Sequence, residues 1–163
     1  MVISDLLSEF GYSPPMSKTV LLLNGPNLNL LGLRQPEIYG KQTLQDVEKA
    51  CAAALKEGGL ALETFQSNSE SELIERIHKA RGHADAIIIN PGAYSHTSIA
   101  LLDALNAFDG PVVEVHISQI FKREAFRHHS YVSGRADAVL CGFGVAGYAM
   151  ACEWMVGKLQ SAK

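Results

Sequence analysis

The chain has 163 residues, enough for one domain and short for two. Hydrophobic residues make up 47% of it, ample for a core, and the formal net charge of −3 comes without the basic run that tracks nucleic acid. No apolar stretch approaches a membrane span, and the three cysteines, Cys51, Cys141 and Cys152, lack the spacing of a disulfide framework or zinc ribbon, so a cytoplasmic, reducing setting is expected.

Residues 1–17 read as an N-terminal extension. They lack the basic and continuous apolar regions of a signal peptide, include Pro14-Pro15, and receive no role. A single domain is expected over 18–163. It opens with "TVLLL" (19–23), an uninterrupted apolar run of the kind a strand buried on both faces shows. A long segment through "NGPNLNLLGLRQPEIYG" follows, neither tight turn nor helix, carrying Arg34 and Tyr39. The spacing of Leu44, Val47, Cys51 and Leu55 predicts a helix over 43–59, capped by Thr43 and stopped by Gly58-Gly59. Next come an alternating strand (60–66), an amphipathic helix (70–82) and a second strand of the fully buried kind (85–90). A helix opened by His96 or Thr97 (97–110), a strand (111–117) and a short helix (122–129) follow. The last pair is a strand (137–142) and a helix (145–160). Strands alternating with helices predict an α/β fold with a parallel sheet covered on both faces. At this length the expected form is a flavodoxin-like three-layer sandwich, a five-stranded parallel sheet in the order 2-1-3-4-5. Ligands in such sheets bind beyond the carboxyl ends of the strands. That directs attention to the opening loop, to "NPGAYSHTS" and to "EVHIS".

Other motifs carry less. "GFGVAG" (142–147) has dinucleotide-loop spacing after a strand, but only sixteen residues remain and no following strand can supply the acidic partner; it reads as a tight strand-to-helix turn. The first strand ends in Asn24, which excludes a phosphoacceptor site of acidic residues there, and no P-loop occurs. The six histidines show no metal-binding spacing; His78 and His83 read as solvated helix residues, and His128-His129 as the same or as packing at a helix end. His96 and His116 sit on the predicted ligand edge. Glu114 lies two residues before His116 on one strand, so both side chains point the same way. A carboxylate there favours the charged imidazole and fixes its tautomer, as a general acid needs, although a purely structural Glu-His pair has the same spacing. A phenol such as Tyr39, titrating near about 10, is too weakly acidic to be a base at neutral pH unless a cation such as Arg34 closes over it; alone, that loop reads rather as a plain surface segment.

Taken in order, "NGPNLNLLG", "RQPEIYG", "FQSN", "INPGAYSHTS", "VEVHIS" and "FRHHS" closely resemble the type II 3-dehydroquinate dehydratases, from about Val20 to Tyr148. The resemblance implies a hydro-lyase that converts 3-dehydroquinate to 3-dehydroshikimate and water through an enolate, in the shikimate pathway or in quinate catabolism. It implies no metal or cofactor, and a dodecamer of four trimers. Residue by residue, Tyr39 matches the family's proton acceptor, Arg34 the lid arginine that stabilises charged states, and Asn27 the asparagine that holds a water against the enolate oxygen. His116 matches the proton donor to the leaving hydroxyl. Asn90, His96 and Arg127 match residues gripping substrate hydroxyls, Ile117 and Ser118 the carboxylate site, and Asp103 an acid from the neighbouring subunit. Gln35, Leu33 and Ser69 depart from common family residues; Gln35 touches the electrostatics of the lid, not the catalytic roles. Two other readings fit parts of the pattern, an inactive anion-binding module and a lyase for a related cyclic polyol acid. The complete Tyr39, Arg34 and His116 set opposes the first.

Overall fold

The computed structural model describes residues 17–33 and 41–161. The expected extension therefore lies outside the described residues except for Ser17, as do Arg34, Gln35 and Tyr39. Within them, strands β1 (Thr19–Asn24), β2 (Ala61–Gln66), β3 (Ala86–Asn90), β4 (Val112–His116) and β5 (Ala138–Cys141) form one sheet in the order β2-β1-β3-β4-β5. Each pairing is parallel. The helices are α1 (Leu44–Glu57), α2 (Glu70–Ala80), α3 (Ile99–Asn106) and α4 (Ala146–Ser161).

Period-two alternation in the central strands divides the core into two layers. Val20, Leu22, Ala86, Ile88, Val113 and Val115 face α1 and α4, meeting Val47, Cys51, Leu55, Cys152 and Met155. Leu21, Leu23, Ile87, Ile89 and Val112 face α2 and α3, meeting Leu73, Ile77, Leu101 and Leu105. This is the expected three-layer sandwich, and the apolar runs at β1 and β3 reflect burial on both faces. Thr43 caps α1 in a reciprocal box with Asp46, which ties down the end of the loop that precedes it.

Three local expectations are corrected. The helix after β3 starts at Ile99, because Ser98 accepts from the Leu101 N–H; His96 and Thr97 belong instead to a 3-10 turn, Gly92–His96, and its C-cap. The helix expected at 122–129 is replaced by two 3-10 turns, Ile120–Lys122 and Ala125–Arg127, separated by extended backbone at Arg123 and Glu124. Helices of this length need a buried stripe, and the apolar candidates there, Phe121 and Phe126, are 60% and 69% exposed. His83 lies past the end of α2, in an exposed turn rather than on the helix. The "GFGVAG" segment is the tight turn expected of it: Gly142 and Gly144 have φ of 84° and 60°. Their N–H groups donate to the carbonyls of His116 and Ile117, bracing the end of β4 from behind.

Candidate active site

The strands end in polar residues at one level. Cα register places Asn24 opposite Gln66 on one side and Asn90 on the other, so β1 and β3 stop their apolar runs together, level with the polar end of β2. Beyond them the chain is drawn in tightly. The Gly25 N–H donates to the Asn90 carbonyl at 2.8 Å, and a Cβ on Gly25 would lie 2.5 Å from the Pro91 carbonyl oxygen. Glycine is required there by close approach of two backbones. Asn27 follows at φ 68°, the one non-glycine residue of positive φ among those described, a conformation asparagine tolerates better than most. Its N–H is held by Asn68 Oδ1 at 2.8 Å, and the Asn68 carbonyl in turn accepts from the Tyr94 hydroxyl.

A cleft opens above this edge, about 780 Å³ including the space at its mouth, within the range of small-molecule sites. Asn27, Asn90, His96, His116, Ile117, Ser118 and Arg127 all line it, so the structure gathers these sequence-nominated residues in one place. Arg34 and Tyr39 lie outside the described residues. Asp103 sits on the exposed face of α3 and does not line the cleft.

His116 reaches the cleft from the α3 face of the sheet. Its Nε2–H donates to Glu114 Oε1 at 2.6 Å, with Glu114 fully buried. Ser130 donates to the same carboxylate oxygen at 2.5 Å, and the Ser133 hydroxyl donates to the other. Desolvation is the largest single influence on Glu114 and pushes its pKa up. The hydrogen bond and charge of His116 and the two serine hydroxyls together outweigh it, leaving the carboxyl below its ordinary value. Glu114 is therefore an anion that accepts three hydrogen bonds, and His116 Nδ1 is the nitrogen left for the cleft.

His96 stacks beside His116, ring centres 6.2 Å apart and planes 18° from parallel. Its Nδ1 lies 2.7 Å from the His129 carbonyl, which can only accept, so Nδ1 carries the proton and Nε2 is left as an acceptor. Burial is the main influence lowering its pKa, with the nearby charges of His116 and Arg127 acting the same way. The two imidazoles thus differ: one is backed by a carboxylate, the other by a carbonyl and held neutral. Arg127 lines the cleft with its Nε held by Glu124 at 2.9 Å. Arg123 joins it there, its Nη1 3.5 Å from Ser118 Oγ. No lysine lines the cleft among the described residues, and residues 34–40 contain none.

Sequence reading had missed Ser130, Ser133, Arg123 and Tyr148. The serines are 16 and 19 residues from Glu114 and reach it only because the segment after the 3-10 turns folds back over β4. The "HHS" block within the family resemblance already contained Ser130, without its partner. Arg123 was hidden in a segment read as helix. Tyr148 was visible only as part of an apolar helix pattern.

Comparison with known proteins agrees with this geometry. A model of the family described as dehydroquinase class II matches residues 18–156. The chain is 62% identical to a 3-dehydroquinate dehydratase of Cereibacter sphaeroides over 83% of its own length and 92% of that protein. It is 54% identical to catabolic 3-dehydroquinase 1 of Fusarium vanettenii, covering 88% of itself and all of that protein. Among solved structures, type II dehydroquinase from Propionibacterium acnes superposes with a TM-score of 0.83 at 44% identity, over 87% of this chain and 98% of that one. The chain belongs to the class II dehydroquinase family.

Proposed function

We propose that the protein is a type II 3-dehydroquinate dehydratase, a hydro-lyase that converts 3-dehydroquinate to 3-dehydroshikimate and water. The observation that carries the reading is the buried Glu114–His116 pair at the rim of a cleft lined by the family's polar residues. The substrate is a β-hydroxy ketone, which loses water most readily through an enolate. That route needs a base, a partner for the oxyanion and an acid for the leaving group.

In this reading Tyr39, its phenolate stabilised by Arg34, takes the proton from carbon 2. Electron density moves onto the carbon-3 oxygen, where a water held by Asn27 stabilises the enolate. His116 then protonates the carbon-1 hydroxyl through Nδ1. The C–O bond breaks, water leaves, and the enolate collapses to the ketone conjugated with a new carbon-1 to carbon-2 double bond. The proton lost by His116 is balanced by the one gained by Tyr39, and solvent exchange restores both. Glu114 compensates the charge on His116 before the transfer. The substrate carboxylate takes the backbone N–H groups of Ile117 and Ser118 and the Ser118 hydroxyl, while Asn90, His96 and Arg127 hold its hydroxyls. The neutral His96 supports this as an acceptor for one hydroxyl proton. A covalent imine route finds no lysine lining the cleft among the described residues.

Such a reaction serves aromatic amino acid biosynthesis or quinate breakdown. Asp103, exposed and not among the residues lining its own cleft, fits a site completed by a neighbouring chain, in the dodecamer of four trimers that the family resemblance implies. A cytoplasmic location agrees with the free cysteines and with the absence, among the described residues, of a helix long and apolar enough to cross a membrane.

The test is direct. Purified protein mixed with 3-dehydroquinate should generate the ultraviolet absorbance of a conjugated enone. The rate should survive a chelator, and borohydride added with substrate should not inactivate. A mixture that gains no enone absorbance at high substrate concentration rejects the function.

A further inference from the structure

Two asparagines end adjacent strands at one register position, Asn24 on β1 and Asn90 on β3, and a tyrosine from α4 bridges them. Tyr148 O–H donates to Asn24 Oδ1 at 2.8 Å, and its oxygen accepts from Asn90 Nδ2 at 2.8 Å. Asn90 Oδ1 accepts from the Gly92 N–H at 3.1 Å. The directions are mutually determined. A carbonyl oxygen at Asn24 makes the phenol its donor, the phenol oxygen then receives an N–H, and the Gly92 N–H requires an oxygen on the other arm of Asn90. One Asn90 N–H is thereby consumed, and the second is left in a residue that lines the cleft.

The same chain is a poor choice for stability alone. Tyr148 is 1% exposed within the core layer shared with α1, where a phenylalanine would fill the space without a polar atom. Asn24 is fully buried, and its Nδ2 is the one buried side-chain polar atom without a partner among the described residues. Buried polar groups cost free energy unless paired. Burial also pushes the Tyr148 phenol well above its ordinary value, so it stays a neutral O–H at every physiological pH and cannot act as a second base.

We infer that Tyr148, braced by Asn24, is a positioning residue that fixes the carboxamide of Asn90 so that its remaining N–H is offered as a donor to a substrate hydroxyl oxygen. The inference rests on the dehydratase reading for its substrate. Without Tyr148 the carboxamide keeps only its bond from the Gly92 N–H, and each turn of the amide presents an oxygen, the wrong polarity, to that hydroxyl.

A double-mutant cycle tests it, with Tyr148→Phe, Asn90→Ala and the double variant compared with the parent protein on 3-dehydroquinate. Tyr148→Phe should lower kcat/KM about tenfold, as for one oriented hydrogen bond, with most of the change in KM and the pH profile of kcat unmoved. The double variant should be no worse than Asn90→Ala. Effects that multiply, or an unchanged kcat/KM beside a lowered urea midpoint, make Tyr148 purely structural and overturn the inference. Should Tyr148→Phe fail to fold, Asn24→Leu removes the phenol's acceptor and enters the same cycle with the same expectations. If the parent does not turn over 3-dehydroquinate, the functional reading is what fails. Orientation is then read from the Asn90 side-chain amide by 15N NMR: one of its protons should exchange slowly in the parent and quickly in Tyr148→Phe. Equal exchange of both protons in the parent overturns the inference independently of catalysis.

Discussion

Two imidazoles standing parallel at the cleft are given opposite tasks by their partners. His96 donates to a carbonyl and has its pKa lowered, so its Nε2 accepts at neutral pH. Protonation would turn that acceptor into a donor. KM should therefore rise as pH falls below the ordinary histidine value of 6.5, and His96→Gln should flatten that limb in kinetics recorded across pH. Glu114 acts in the same acidic direction on stability. Its folded-state pKa lies below 4.5, so on acidification the unfolded chain takes up the proton first. The stabilisation is complete above about pH 4.5 and is lost as pH falls through the folded value. Glu114→Gln removes the buried carboxylate that His116, Ser130 and Ser133 all bond and should cost about 3 kcal/mol at neutral pH. Urea midpoints of the two proteins should converge in acid. Tyr39→Phe, which keeps the ring and removes the ionisable oxygen, should lower turnover by about a thousandfold with substrate still bound.

At the scale of elements, the site depends on how closely the β1 and β3 loops meet. A methyl group on Gly25 would collide with Pro91 backbone, which has no side-chain freedom to yield. Gly25→Ala should cost about 2–3 kcal/mol in urea unfolding and, by parting Asn27 from Asn90, lower kcat/KM as well. The elements themselves were readable where periodicity and burial agree. The runs at 19–23 and 85–90 could only be strands sealed on both faces, and Thr43 sat where a cap must. The Glu114–His116 pair was readable for the same reason, since two residues on one strand share a face. Reading failed where local signals compete or where partners are remote in sequence. His96, Thr97 and Ser98 are three consecutive plausible helix starts, and only packing selects Ser98. The segment 122–129 has helical residues but no core to face. Asn24 and Tyr148 are 124 residues apart, and nothing local announces their hydrogen bond.

For the whole molecule, the consequential placement is Asp103, exposed on α3 and not among the residues lining its own cleft. If each site borrows Asp103 from a neighbour, two inactive proteins should rescue one another. Asp103→Ala and His116→Ala, unfolded, mixed in equal amounts and refolded, would place an intact His116 beside a neighbour's intact Asp103 in roughly a quarter of sites of closed rings. Activity should rise well above either parent refolded alone. A mixture verified by mass that gives only their average assigns Asp103 to its own chain or to no role.

The division between a base that forms the enolate and an acid that releases the hydroxyl is most directly tested with His116→Ala in deuterium oxide, following 3-dehydroquinate by NMR. Dehydration should fall by about a thousandfold, while recovered substrate gains deuterium at carbon 2, because enolate formation precedes loss of water. Dehydration near the parent rate, or loss of exchange from a variant that still binds substrate, would contradict the account.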